Sequence, residues 1–140
     1  MTQARTPEQR AKAVLNNEIV SVRYQVADVN RSIAFYTERL GFAVEGPRNN
    51  AFGAVALGNL FLILSGPGTS GARPMPDGRK QQAGGWNRIL VYVEDLEGRI
   101  KSLEAAGVTF RNKVESGPGG SQIMIEDPDG NPIELHQPPK

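Results

Sequence analysis

The sequence predicts an α+β protein in which two tandem βαβββ units form a cupped mixed sheet and an extra N-terminal helix precedes them. Twice along the chain, a strand with period-2 alternation is followed by a helix with 3.6-residue periodicity and then by three short strands. Asp28 and Asp95 are 67 residues apart, and so are Ile33 and Ile100, which indicates a duplicated unit. Because each helix covers one face of its sheet, we expect the two remaining faces to enclose a shared space.

The composition restricts the class of protein. The chain has 140 residues, no cysteine, and 16 basic against 15 acidic side chains, which gives a net charge of +1. Without a basic excess a nucleic-acid partner is not expected, and without cysteine there can be no disulfide or thiolate metal site. The N-terminus lacks a signal-peptide pattern and the longest apolar run is too short to span a bilayer. We therefore expect a cytoplasmic protein with no nucleic-acid or membrane partner.

Residues 1–18 are predicted to be a helical extension. Thr6 offers a capping hydroxyl, Pro7 suits the first helical position and Gln9 completes a capping box, so a short helix should end near Leu15. We interpret this helix as an appendage to the repeated units.

The first unit, residues 19–64, begins with an alternating strand. Its polar face carries Ser21, Arg23 and Gln25, and the intervening apolar residues lie on the opposite face. Asp28 or Asn30 is expected to cap the following helix.

That helix should bury one stripe and end at Gly41. Ile33, Leu40 and either Tyr36 or Phe35 form the stripe. Three strands are then predicted, at residues 42–47, 52–57 and 60–64.

Residues 65–85 are rich in glycine and proline and show no periodicity. They are predicted to be a linker or a long surface loop. Met75, which lies between two prolines, would also suit a lid over a cavity.

The second unit, residues 86–136, repeats the first, and residues 137–140 form a tail. Asp95 caps its helix and Gly107 ends it. Its strands are predicted at residues 88–93, 108–114, 122–126 and 132–136, with a hairpin turn at residues 117–120.

A tight turn at residues 127–131 joins the last two strands. Gly130 and Asn131 are expected to adopt the positive φ that the reversal needs. On the outgoing strand, alternation places Glu134 and His136, the only histidine, on the same face as Pro132. Either this face is simply the solvent-exposed side of an edge strand, or it belongs to a functional site.

Three motifs together identify a family resemblance. They are DVNRSIAFYTERLGF, VEDLEGRIKSLEAAGV and the terminal DPDGNPIEL. In this order, and with the repeat, they resemble the vicinal oxygen chelate superfamily, which includes glyoxalase I, bleomycin-resistance proteins and extradiol dioxygenases. The resemblance covers residues 19–136 and implies the fold more strongly than any one activity.

The resemblance implies four positions for a divalent metal, on the first and last strands of each unit. They correspond here to Ser21, Leu62, Arg88 and Glu134, with Leu62 matched to Glu134 through the two Gly-Asn turns. Arginine stays protonated and leucine has no lone pair, so neither can be a ligand. We therefore predict no metal site and no cofactor, unless the alignment is wrong and a divalent metal binds elsewhere.

If the alternation holds, both units line the predicted cup. The predicted ligand-binding residues are Ser21, Arg23, Gln25, Arg88, Tyr92, Glu134 and His136, with Leu62, Leu64 and Leu90 beside them. Arg88 can hold an anion by paired hydrogen bonds, or it can simply form an internal salt bridge with Glu134.

Two classes of function remain open. The protein either binds a small anionic or aromatic molecule, as bleomycin-resistance proteins do, or is a lyase, isomerase or dioxygenase. As an enzyme it would depend on a metal, or Glu134 would be the catalytic base. The family and the open strand edges also suggest a homodimer.

Overall fold

The computed structural model describes residues 5–140, which divide into two compact units between Ala83 and Gly84. Each unit has its own mixed sheet, of four strands in the first and five in the second, and the described residues form three α-helices. The predicted α+β class and the repeated strand and helix order are confirmed.

The first unit contains two helices and four strands. Their bounds are α1 Pro7–Leu15, β1 Val20–Gln25, α2 Val29–Leu40, β2 Ala43–Val44, β3 Phe52–Leu57 and β4 Leu60–Ser65. The sheet order is β1-β4-β3-β2, in which β1 and β4 are parallel and the other pairs antiparallel.

Local chemistry fixes the ends of both helices. The predicted capping box of α1 is present, since Gln9 N donates to Thr6 Oγ1 and Thr6 N donates to Gln9 Oε1. For α2, Asp28 is the N-cap and Gly41 ends the helix with φ 76°. Tyr36, fully buried, is the aromatic member of the α2 stripe.

The second unit contains one helix and five strands. Their bounds are β5 Ile89–Tyr92, α3 Leu96–Ala105, β6 Thr109–Phe110, β7 Glu115–Gly117, β8 Gly120–Glu126 and β9 Pro132–Gln137. The order is β5-β9-β8-β6, with β7 also paired to β8. Asp95 caps α3, as predicted.

Two predicted strands are shorter than the sequence suggested. The strand predicted at 42–47 is only Ala43–Val44, because Gly46 has φ 73° and turns the chain away. The strand predicted at 108–114 is only Thr109–Phe110. The backbone amide of Met124 donates to Asn112 Oδ1 instead of to a backbone carbonyl, which interrupts the pairing of β6 with β8. The strand Glu115–Gly117 was not predicted.

The turn at residues 127–131 is held by side chains more than by unusual backbone angles. Gly130 has φ 82°, whereas Asn131 is not among the described residues of positive φ, so the prediction for Asn131 was wrong. Instead, buried Asp127 accepts hydrogen bonds from the amides of Asp129 and Asn131 and from Asn131 Nδ2. These bonds fix the start of β9 and therefore the position of Glu134.

No helix within residues 5–140 has the length and apolar character needed to cross a membrane.

Candidate functional site

The best-formed polar cluster of the second unit lies on β9. This strand pairs with β5 on one side and β8 on the other, so the suggestion that it is an edge strand was wrong. Glu134 is only 5% exposed. A buried carboxylate in the middle of a sheet needs partners, which here are the guanidinium of Arg88 and the imidazole of His136.

Both oxygens of the Glu134 carboxylate are engaged. Arg88 donates to Oε1 from Nε at 3.0 Å and from Nη2 at 2.8 Å. His136 Nδ1 lies 2.9 Å from Oε2. The predicted internal salt bridge between Arg88 and Glu134 is therefore present, and His136 extends it to a cluster of three.

His136 is held by acceptors at both ring nitrogens. Besides the Glu134 contact at Nδ1, its Nε2 lies 2.9 Å from the Gly119 carbonyl oxygen. Only the doubly protonated imidazolium can donate at both positions. Hydrogen bonding to Glu134, then to Gly119, raises the pKa of His136 above its ordinary 6.5.

Gly119 is the member of the cluster that sequence reasoning missed. Its turn was predicted correctly as a hairpin, and Gly117 pairs with Gly120 there. The contact to His136 spans 17 residues. No local pattern indicates that a backbone carbonyl would meet the imidazole.

Tyr92 lies beside the cluster. Its ring meets the His136 ring edge-on, with 5.5 Å between centroids, and the residue is 65% exposed. Leu90, on the same face of β5, is also exposed. The second unit therefore places an accessible aromatic ring next to a group of charges.

In the first unit, Ser21, Arg23 and Gln25 share a face of β1, as predicted. Arg23 Nη1 donates to Ser65 Oγ at 2.7 Å, and Gln25 Nε2 donates to the Gly71 carbonyl at 2.8 Å. The loop after β4, which includes a short 3-10 helix at Ser70–Ala72, thus folds against this face. It covers Arg23 and Gln25 but not the Ser21 end of the strand.

The register of the first sheet corrects the assignment of Leu62 and Leu64. They pair with Val22 and Tyr24, so they share the apolar face of β1 rather than the face of Ser21. Gly53, opposite Leu64, identifies that face, because a Cβ there would lie 3.0 Å from Ile33 Cδ1 of α2. Leu62 and Leu64 are therefore core residues under the helix.

The same register corrects the internal alignment. Val22 pairs with Leu62 and Ile89 pairs with Ile133, and Val22 and Ile89 have the 67-residue spacing of the repeat. Leu62 thus corresponds to Ile133, and the counterpart of Glu134 is Ile63. The shift arises because seven residues separate Ile125 from its partner Ile133, whereas six separate the equivalent pair Val55 and Leu62.

The residues at the implied metal positions do not fit a divalent ion. After the correction they are Ser21 and Ile63 in the first unit and Arg88 and Glu134 in the second. Of these only Glu134 is a good ligand, and Arg88 and His136 already occupy its two oxygens. Among residues 5–140 there is no group of three or more His, Cys, Asp or Glu side chains suited to a metal.

Comparison with known proteins identifies the family. A family model described as the Glyoxalase/Bleomycin resistance protein/Dioxygenase superfamily matches residues 18–135. The chain belongs to this superfamily. The matched residues include both βαβββ units and leave out α1.

The similar members differ in what their names say they do. A lactoylglutathione lyase from Pseudomonas putida is 26% identical over 156 residues, covering 91% of this chain and 87% of that protein. A superfamily member from Sphaerobacter thermophilus is 28% identical with a TM-score of 0.67, covering 85% of this chain and 95% of that one. An antibiotic binding protein from Streptomyces sp. CB03234 is 25% identical with a TM-score of 0.67, covering 86% and 95%.

Proposed function

We propose that this protein binds a small anionic or aromatic molecule in the predicted cup, without a resident metal. The observation that carries the proposal is Arg88, a fixed cation at an implied metal position, which is bonded to Glu134. The similarity to an antibiotic binding protein supports binding as the class of function.

The charges of the cluster favour an anion. Arg88 and the imidazolium of His136 supply two positive charges around one carboxylate, so the group as a whole is cationic when His136 is protonated. The Arg88 side chain keeps 26% of its surface exposed. An anion can approach that surface, and the exposed Tyr92 ring offers a face for an aromatic group.

The alternative is an enzyme of the same superfamily, and the lactoylglutathione lyase similarity favours it. In a metal-free version Glu134 would abstract a proton as the catalytic base. Since both of its oxygens are engaged, this role requires Arg88 or His136 to release one of them. The observed contacts therefore support binding over catalysis by Glu134.

Titration with metals tests the absence of a resident ion. We expect that adding Zn, Ni, Mn or Fe(II) to protein purified without chelator leaves the melting temperature unchanged, because a ligand that binds only the native state would raise it. One bound equivalent with a raised melting temperature would show that Ser21 and Arg88 were wrongly assigned to metal positions.

Benzoate tests the anion site. We expect it to raise the melting temperature of the wild type, and Arg88→Met to abolish the shift, whereas Arg39→Met, an exposed arginine of α2, preserves it. Arg88→Lys should retain part of the effect because charge remains but the paired geometry is lost. If Arg88→Met lowers stability yet leaves the benzoate shift intact, Arg88 serves only as the partner of Glu134.

Two sequence-based expectations join the proposal. We propose a homodimer, which light scattering on purified protein would test by a mass of two chains, and a cytoplasmic location.

A further inference from the structure

Helix α1 faces an open apolar pocket in the first unit. The pocket has a volume of about 540 Å³, within the range of about 300–1,000 Å³ that is typical of small-molecule sites. On one side lie Ala11, Val14 and Leu15 of α1, and on the other lie Phe61 and Ile63 of β4. These sheet residues share the face of Ser21, away from α2.

The position of α1 against the sheet is fixed by packing and charge. Ala13 of the helix is 4% exposed and forms a buried cluster with Ile19 and Phe61. Arg10 Nη1 lies 4.0 Å from Glu45 Oε1, with both side chains largely buried. Because these contacts lie beside the pocket, the helix is a stable part of its wall.

The polar groups of the pocket are few and lie near opposite edges of the sheet. They are the Ser21 hydroxyl and the Arg10–Glu45 pair, whose charges cancel. Glu45 Oε1 is buried and accepts no hydrogen bond from residues 5–140. Buried acceptors in native proteins normally have a donor, so this oxygen is a candidate for a ligand's donor group.

We infer that α1 is one wall of a ligand pocket that takes an uncharged, mostly apolar ring compound with a hydroxyl or similar hydrogen-bond donor. The donor would lie at Glu45 Oε1, and the rings would lie between α1 and β4. Since α1 lies outside residues 18–135, the part matched by the superfamily, this wall is a specificity element that the family membership does not supply.

This inference rests on the proposed small-molecule binding and names a class of ligand for it. It involves Arg10, Ala11 and Glu45 of the first unit, whereas the benzoate experiment involves Arg88 of the second. A negative result for the α1 pocket would therefore leave the proposed anion site of the second unit untouched, and the reverse also holds.

The first test uses 2-naphthylmethanol as the probe and calorimetry as the readout. In the wild type we expect saturable binding with one site per chain. Ala11→Trp places an indole in the pocket and should weaken binding at least tenfold. Because Ala11 is exposed on the helix surface, the variant should fold normally, and its melting temperature without probe checks this.

Lys12→Trp is the matched control, since it puts the same ring on the same helix at a position that does not line the pocket. Equal binding by the wild type and both variants would overturn the inference. So would the absence of probe binding together with a loss of dimer mass in Ala11→Trp alone, because the face would then be an interface between copies.

The second test addresses the chemistry of the ligand. We expect 2-naphthoate, which has the same rings but only acceptors, to bind Arg88→Met, from which the proposed anion site is removed, at least tenfold more weakly than 2-naphthylmethanol. Glu45→Gln leaves the Arg10 charge unpaired, so the preference for the alcohol should shrink or reverse. Arg88→Met should leave the binding of 2-naphthylmethanol unchanged. A preference for the carboxylate in Arg88→Met, or a preference insensitive to Glu45→Gln, would contradict the assigned ligand class.

Discussion

His136 combines a raised pKa with two fixed acceptors, which makes it the residue whose charge depends most clearly on pH. The imidazolium is stabilised only in the folded protein, where Glu134 Oε2 and the Gly119 carbonyl both accept from it. Its contribution to the free energy of unfolding is therefore complete below the unfolded pKa of about 6.5 and is lost as pH rises through the folded pKa.

We accordingly expect the melting temperature of the wild type to fall as pH rises above about 6.5, and His136→Gln to remove most of this fall. Since the chain has one histidine, the difference between the two proteins reports this group alone. Denaturation curves measured from pH 5.5 to 9 provide the check. Parallel curves for the two proteins would show that the contacts of His136 contribute no linked stability.

The sequence predicted some of these residue contacts for a clear reason. Period-2 alternation is a property of any strand, so Glu134 and His136 were correctly placed on one face. The salt bridge between Arg88 and Glu134 was predicted from the positions that the family resemblance assigns to them. The burial of Glu134 was not predicted, because the sequence does not reveal that β9 is paired with a strand on each side.

At the scale of an element, the β7–β8 hairpin supports the cluster from one side. Gly120 has φ 115°, and an added Cβ would collide with the Gln137 carbonyl of β9. A Cβ on the neighbouring Gly119 would meet nothing within 4 Å. A side chain can therefore be accommodated at Gly119 but not at Gly120.

Gly120→Ala should lower the free energy of unfolding by about 2–4 kcal/mol, because it combines a disfavoured φ with a backbone collision. Gly119→Ala should change the free energy of unfolding by less than about 1 kcal/mol. Urea denaturation of both variants measures the difference. Similar losses in the two would mean that the hairpin relaxes freely around Gly120.

Helix ends were predicted better than strand ends. Asp28, Asp95, Thr6 and Gly41 each act through a local hydrogen bond or a local backbone angle, which the sequence displays directly. By contrast, β2 ends at Val44 and β6 ends at Phe110, although both strands were predicted to continue for three or four more residues. Strand length depends on a partner strand that hydrophobicity alone does not identify.

Across the whole molecule, the duplication was visible in the spacing, but its register was not. The two Gly-Asn turns look equivalent in sequence, yet the connection from Ile125 to Ile133 has one residue more than that from Val55 to Leu62. The counterpart of Glu134 is therefore Ile63 and not Leu62. When the alignment of a strand shifts by one residue, every side chain is assigned to the opposite face of the sheet. The repeat thus predicted the fold, while the position equivalent to Glu134 required the strand pairing. The role of α1 as a pocket wall was also missed, since the helix lies outside the repeat.

The corrected register can be tested with two neighbouring substitutions. Leu62→Glu should lower the free energy of unfolding by about 4 kcal/mol or more, because Leu62 is fully buried beneath α2. Ile63→Glu should cost about 1–2 kcal/mol, since Ile63 is only half-buried on the open face. Thermal and urea denaturation give both values. A larger loss for Ile63→Glu would restore the original alignment.

All of the strand ladders close inside one unit or the other, and this has a consequence for folding kinetics. The two parallel pairs are β1–β4 and β5–β9, and each forms from residues of a single unit. Their pairing therefore does not require residues from the other unit. Loop closure within a unit is shorter than closure across the chain, so contact order stays moderate for a protein rich in sheet. During synthesis on the ribosome, the first unit can acquire its complete sheet before the second has been translated.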